Sequence, residues 1–295
     1  MKALNEAIEV KVKNVLFATD FSKYSNAALP YALAIAHQYG VKLYGVHVLS
    51  PEAYLLAGEG WVPALEQQDE QRRLDAKRFE EQLRGVPHEV MSPVGDIADV
   101  IFRLVHDHQI DLLVLGTHGR SGLPKMLLGS VAEKISRQSP IPVLTVGPHV
   151  PPRENSVAEF NEIVFATNFN EPSLAAMPYA VSMAQQHQTH LHVLHVLEHA
   201  SAGTVNFEAD MEFAERRLKE MLPPDTDLYF GPQFFVEAGK VSEKIREYAT
   251  KNGADLIVMG VGAPAHGVGA LTHFGHSLAQ EIVAYATCPV LTVRG

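Results

Sequence analysis

Short apolar runs alternate along the chain with longer stretches in which apolar residues recur every three to four positions. The runs 14–19, 42–49, 88–92, 111–116 and 142–147 read as strands, since short continuous apolar segments between turn signals suit a strand covered on both faces. Helical spacing over 22–39, 64–84, 96–108 and 129–138 predicts the intervening elements. Alternation of this kind predicts a parallel sheet with helices on both faces.

The pattern then returns. Asn14-Val15-Leu16-Phe17-Ala18-Thr19-Asp20-Phe21 is echoed by Glu162-Ile163-Val164-Phe165-Ala166-Thr167-Asn168-Phe169, an offset of 148 that holds through His47-Val48-Leu49 against His195-Val196-Leu197. Further on, Asp111-Leu112-Leu113-Val114-Leu115-Gly116 is echoed by Asp255-Leu256-Ile257-Val258-Met259-Gly260, and Pro142–Val146 by Pro289–Val293. Such a repeat means two copies of one domain in tandem, expected at 1–150 and 151–295, with Gly147–Glu154 breaking both periods as the linker. Each copy is expected to be a doubly wound α/β domain with a five-stranded parallel sheet of order 3-2-1-4-5 flanked by helices. Both copies close with Pro-Val-Leu-Thr-Val, an apolar strand whose bare edge invites pairing. The two halves are therefore expected to pair through these C-terminal strands about a pseudo-two-fold axis, with a homodimer of whole chains left open.

In that strand order a ligand sits at the carboxyl ends of strands one and four, where the winding direction reverses. The sequences at those ends are Thr19-Asp20-Phe21-Ser22 and Leu115-Gly116-Thr117-His118-Gly119, the latter running on to Gly129-Ser130-Val131 at a helix start. Glycines let backbone N–H groups approach an anion closely, and a helix N-terminus adds unsatisfied donors and the positive end of its dipole. The competing reading makes Ser130 and Glu133 a capping box and Gly116 a simple turn. Arg120 and Lys125 in the same loop either add charge-assisted contacts or are solvated cations.

Ala18-Thr19-Asp20-Phe21-Ser22, His47-Val48 and Gly116-x2-Gly119-x9-Gly129-Ser130 together resemble the universal stress protein family, over about residues 12–148 and 160–294. For ATP-binding members the resemblance implies an adenine contact from Asp20 and from the backbone of Val48. It implies ribose and phosphate contacts from Leu115, Gly116, Gly119, Gly129, Ser130 and Val131. The first half is thereby expected to bind ATP, or AMP or ADP, with or without Mg²⁺, as a nucleotide-dependent stress-response module that signals to an unidentified protein partner. The second half departs from the pattern: Asn168 stands for Asp20, Ala263 for Gly119, His276-Ser277 for Gly129-Ser130, and 261–280 contains no Lys or Arg. A degenerate site is expected there.

Composition narrows the alternatives. Net charge is −10, and neither half has more Lys and Arg than Asp and Glu, so the cationic face that nucleic acid requires is not expected. No run approaches the roughly 18 to 20 apolar residues that span a bilayer, the first residues lack an apolar signal core, and Cys288 is the only cysteine. A cytoplasmic protein without membrane partners is expected. His190 and His192 share one face of a strand, but no cysteine or acid completes a ligand spacing, so no metal is expected. No Gly-x-Ser-x-Gly elbow, Walker lysine motif or zinc-protease helix occurs. A binding module is favoured over an enzyme, with slow ATP hydrolysis or a partner-binding scaffold with vestigial pockets as the alternatives.

Overall fold

The computed structural model describes residues 10–49, 73–117, 128–152, 158–198, 206–222, 226–262 and 278–295. The first half contributes strands β1 (Asn14–Ala18), β2 (Lys42–Val46), β3 (His88–Met91), β4 (Leu112–Gly116) and β5 (Val143–Val146). The second contributes β6 (Glu162–Ala166), β7 (His190–Leu197), β8 (Gln233–Ala238), β9 (Leu256–Val261) and β10 (Val290–Arg294). They form one ten-stranded sheet in the order β3-β2-β1-β4-β5-β10-β9-β6-β7-β8. Neighbours within each half are parallel, and only β5 and β10 meet antiparallel.

At that junction Leu144 lies opposite Leu291, with Val143 opposite Thr292 and Thr145 opposite Val290. Leu144 and Leu291 are the same position of the repeat, so a pseudo-two-fold axis passes between them. Thr292 Oγ1 adds a hydrogen bond to the Val143 carbonyl at 3.3 Å.

Helices cover both faces, as strands buried on two sides require. Along β1, Val15 and Phe17 face one layer with helices Leu29–Tyr39 and Glu171–His187, while Leu16 faces the other with helices Ile97–Asp107 and Ser130–Gln138. The same alternation in β6 puts Ile163 and Phe165 on the first side and Val164 on the second. Phe17 and Phe165 are fully buried, each contributing about 1.5–3 kcal/mol of hydrophobic stabilisation. Asp111 Oδ2 accepts the N–H groups of Lys13 at 2.8 Å and Asn14 at 3.0 Å, pinning β4 to the start of β1. Asp255 does the same for Asn161 at 2.9 Å and Glu162 at 3.3 Å.

One element differs from its expected form. The segment 22–39 divides into helices Lys23–Asn26 and Leu29–Tyr39, with Pro30 in the first turn of the second. Proline has no N–H to extend a preceding ladder and fits a first turn, so a helix restarts there. Its counterpart Pro178 lies inside the single helix Glu171–His187. Among the described residues, no helix is long and apolar enough to cross a membrane.

Candidate functional site

The carboxyl ends of β1, β2 and β4 lie side by side, because Ala18 pairs with Val46 on one side and with Leu115 on the other, and the switch point between β1 and β4 is where a doubly wound sheet opens a crevice. Just beyond β1 the chain turns sharply at Phe21, whose φ of 61° is left-handed. A bulky residue in that region stores about 1–3 kcal/mol of strain and persists only where surroundings fix it. Here the Phe21 N–H donates to Thr19 Oγ1 at 3.0 Å, and the ring lies 4.6 Å from the His47 ring and 5.5 Å from Phe79. His47 Nδ1 bonds the Thr19 carbonyl at 2.8 Å; a carbonyl only accepts, so Nδ1 carries the hydrogen.

This turn presents Asp20, which is partly buried. Its Oδ1 accepts the Ser22 N–H at 3.0 Å and the Ser25 hydroxyl at 2.8 Å. Both bonds fix the direction of its carboxyl group. Val48 is buried, two residues past the end of β2.

On the other side, Leu115 is buried within β4 and Gly116 ends it. The Thr117 carbonyl accepts the Gly129 N–H at 2.8 Å, closing the base of the loop between strand and helix. Gly129 is the N-cap of helix Ser130–Gln138 and offers no side-chain capping bond. Ser130 is thus the first helical residue, not the N-cap that the competing capping-box reading requires, and Glu133 lies 3.6 Å from Arg137. The N–H groups of Ser130, Val131 and Ala132 have no acceptor within their own helix, as at any helix start. Gly129's own N–H is committed to the Thr117 carbonyl, unlike those of the three residues that follow it.

The structure therefore gathers Asp20, Val48, Leu115, Gly116, Gly129, Ser130 and Val131 around the switch point between β1 and β4. Gly119, Arg120 and Lys125, with His118, lie outside the described residues. Gly116 also has a steric duty that its motif conceals: a Cβ there would stand 2.4 Å from the Tyr24 carbonyl oxygen.

The second half rebuilds the turn with Asn168 in place of Asp20 and Asn170 in place of Ser22. Phe169 has φ 63°, its N–H donates to Thr167 Oγ1 at 3.1 Å, and His195 Nδ1 bonds the Thr167 carbonyl at 2.8 Å. Burial holds the His195 imidazole below its ordinary pKa, keeping it neutral. Asn168 Oδ1 accepts the Asn170 N–H at 3.2 Å, whereas Ser173 Oγ donates to the Asn170 carbonyl at 2.9 Å. The turn thus survives without a carboxylate. Positions 263–277, the counterpart of the glycine loop, lie outside the described residues.

Residues 11–147 and 159–294 each match the model of the universal stress protein family. The chain belongs to the universal stress protein family. A universal stress protein of Methanocaldococcus jannaschii is 31% identical over 138 residues, covering 45% of this chain and 81% of that protein. One from Thermus aquaticus is 32% identical over 136 residues, covering 45% and 98%. The universal stress protein of Archaeoglobus fulgidus superposes with a TM-score of 0.69 over 95% of this chain and 96% of its own at 21% identity, a likeness of fold. The two matched segments make this a tandem universal stress protein.

Away from the crevice, this universal stress protein holds a buried polar relay that sequence spacing does not show. His192 Nε2 meets Glu162 Oε2 at 2.9 Å, and His192 Nδ1 meets the Tyr248 hydroxyl at 2.8 Å. The acid absent from the local sequence comes from the adjacent strand, where Glu162 pairs with His190 and Val164 with His192. Burial keeps His192 below its ordinary pKa against the pull of Glu162, so Nε2–H donates to the carboxylate and Nδ1 accepts from the tyrosine. His190 stacks on Phe230 at 4.0 Å. Among the described residues, no group of three or more His, Cys, Asp or Glu is placed to hold a metal ion.

Proposed function

We propose that the first domain, residues 1–150, binds an adenine nucleotide at the switch point, and that the chain acts as a nucleotide-dependent regulatory module for a protein partner. In this reading the Asp20 carboxylate accepts from the adenine amino group or a ribose hydroxyl, and the Val48 backbone meets the base. The phosphates lie on the backbone of Leu115, Gly116, Gly119, Gly129, Ser130 and Val131, with Arg120 and Lys125 adding charge. One observation carries it: a fixed, partly buried carboxylate and a helix start without a side-chain cap stand on the two strands that flank the switch point. A nucleotide carries donors for the first and an anion for the second. The second domain, residues 151–295, keeps the turn but has exchanged the carboxylate for Asn168.

The test is calorimetric titration of nucleotide-stripped protein with ATP, with and without Mg²⁺, beside Asp20→Asn. Asn168 shows that this turn accepts asparagine, so the substitution separates ligand contact from folding. Losing a charge-assisted hydrogen bond costs about 1.5–3 kcal/mol, so ATP affinity should fall by about tenfold or more at unchanged thermal stability. Equal affinity in the variant, or no binding by the stripped wild type, overturns the reading.

A further inference from the structure

Helix Ser130–Gln138 begins at the proposed phosphate site and ends against the other half of the molecule. Its last carbonyls have no N–H partner within the helix. Arg294, the final residue of β10, supplies them: Nε donates to the Ser139 carbonyl at 3.0 Å, and one terminal nitrogen donates to Ser136 at 3.1 Å and Arg137 at 2.6 Å. The other terminal nitrogen donates to the Gly262 carbonyl at 2.8 Å, just past the end of β9. A planar guanidinium can address several carbonyls at fixed angles, and a cation at a helix C-terminus is favoured by the dipole.

The repeat supplies no reciprocal bond. Val146 matches Val293, so Gly147 occupies the position of Arg294 in the first half. A Cβ at Gly147 would stand 2.3 Å from the Val283 carbonyl oxygen, which leaves no room for an arginine. Support thus runs one way, from the domain with the altered turn to the domain with the carboxylate.

We propose that Arg294 is a positioning residue for the nucleotide site: it fixes helix Ser130–Gln138 from its far end and ties it to the end of β9. For its ligand consequence this rests on the nucleotide reading above. A helix of nine residues is a rod of about 13 Å, so an anchor at its C-terminus sets where the N-terminal donors point. Arg294→Met removes charge and fork alike, while Arg294→Lys keeps the cation and loses the fork.

Two measurements on the full chain decide it. Amide chemical shifts of ligand-free protein should move in Arg294→Met at Ser130, Val131 and Ala132 as well as at Gly262, and move less in Arg294→Lys. Shifts confined to Ser136–Ser139 and Gly262 would overturn the proposal, showing a local cap only. ATP affinity should fall about threefold to thirtyfold in Arg294→Met, with stoichiometry retained and partial recovery in Arg294→Lys. Unchanged affinity in a wild type that binds would equally overturn it. If the wild type does not bind ATP, the nucleotide reading falls and the ligand-free shifts decide the positioning. If Arg294→Met does not fold, Arg294→Lys is read by the same two measurements.

Discussion

Adding one methyl group at Gly260 should destabilise this protein more than adding it at Gly116, although only Gly116 belongs to the proposed site. A Cβ at Gly260 would lie 2.0 Å from the Pro172 carbonyl oxygen, 2.2 Å from its carbon and 2.5 Å from the Ser173 nitrogen. All three are backbone atoms in the first turn of helix Glu171–His187, so no side-chain rotation relieves the overlap. That helix must retreat from β9 by roughly 1 Å, a gap that forfeits a quarter to a half of each dispersion contact it opens. Met177, Ala180 and Ala184 of this helix are all buried on that face, so the cost should reach the upper part of the overpacking range, about 3 kcal/mol. At Gly116 the nearest atom is the Tyr24 oxygen at 2.4 Å, in a helix of only four residues, and about 1–2 kcal/mol is expected. Gly231, with nothing within 4 Å of its Cβ position, is the control. Urea unfolding followed by far-ultraviolet circular dichroism reads all three, as midpoint changes at constant slope. Gly260→Ala within about 0.5 kcal/mol of wild type, or Gly231→Ala as costly as the others, would refute the reasoning. A bulky substitution at Gly116 therefore reports on folding as much as on ligand, which is why Asp20→Asn is the cleaner probe.

Two further outcomes follow from buried side chains. Burial against Phe160 and Tyr39 pushes the His187 imidazole down from 6.5 to about 4, and its Nε2 finds no partner among the described residues. The unfolded chain then binds the extra proton between those values, so stability is full above about pH 6.5 and declines by at most about 3 kcal/mol as pH falls to 4. His187→Phe should flatten that part of the pH–stability curve at no loss near pH 7, and an unaltered curve would count against the assignment. Tyr248→Phe strips the partner from His192 Nδ1 and should cost about 1–3 kcal/mol by urea unfolding at pH 7, with an unchanged midpoint as the contrary result.

Much of the architecture is legible in the sequence because duplication writes each strand twice. The runs ending in Asp20 and Asn168, or in Gly116 and Gly260, mark the strand ends and hence the switch point. What stays hidden depends on register and on close approach. Glu162 reaches His192 only because their strands are neighbours in the sheet, and no spacing along the chain reports that. Gly116 reads as a phosphate glycine, whereas its tightest neighbour is the backbone of helix Lys23–Asn26, an element too short to show a period. Gly129 looks like a donor until its N–H is seen to serve Thr117. Arg294 is one charged residue at the end of an apolar strand, and the helix-end carbonyls it serves lie more than 150 positions away in the other half.

The antiparallel junction of β5 and β10 has a consequence for dilution. Three residue pairs centred on Leu144 and Leu291 join the two halves of the sheet. Between separate chains, so short a strand pairing would be set by protein concentration. Here the two halves are covalently joined, with β6 following β5 after about fifteen residues, and a short tether holds its ends at an effective concentration in the millimolar range. The halves should therefore stay together on dilution to nanomolar protein. Fusion also removes the demand that both sides of the axis be identical, since a true two-fold interface must carry the same residue twice. Arginine at 294 facing one helix end and glycine at 147 facing the other is an arrangement open only to a molecule whose two copies no longer have to match.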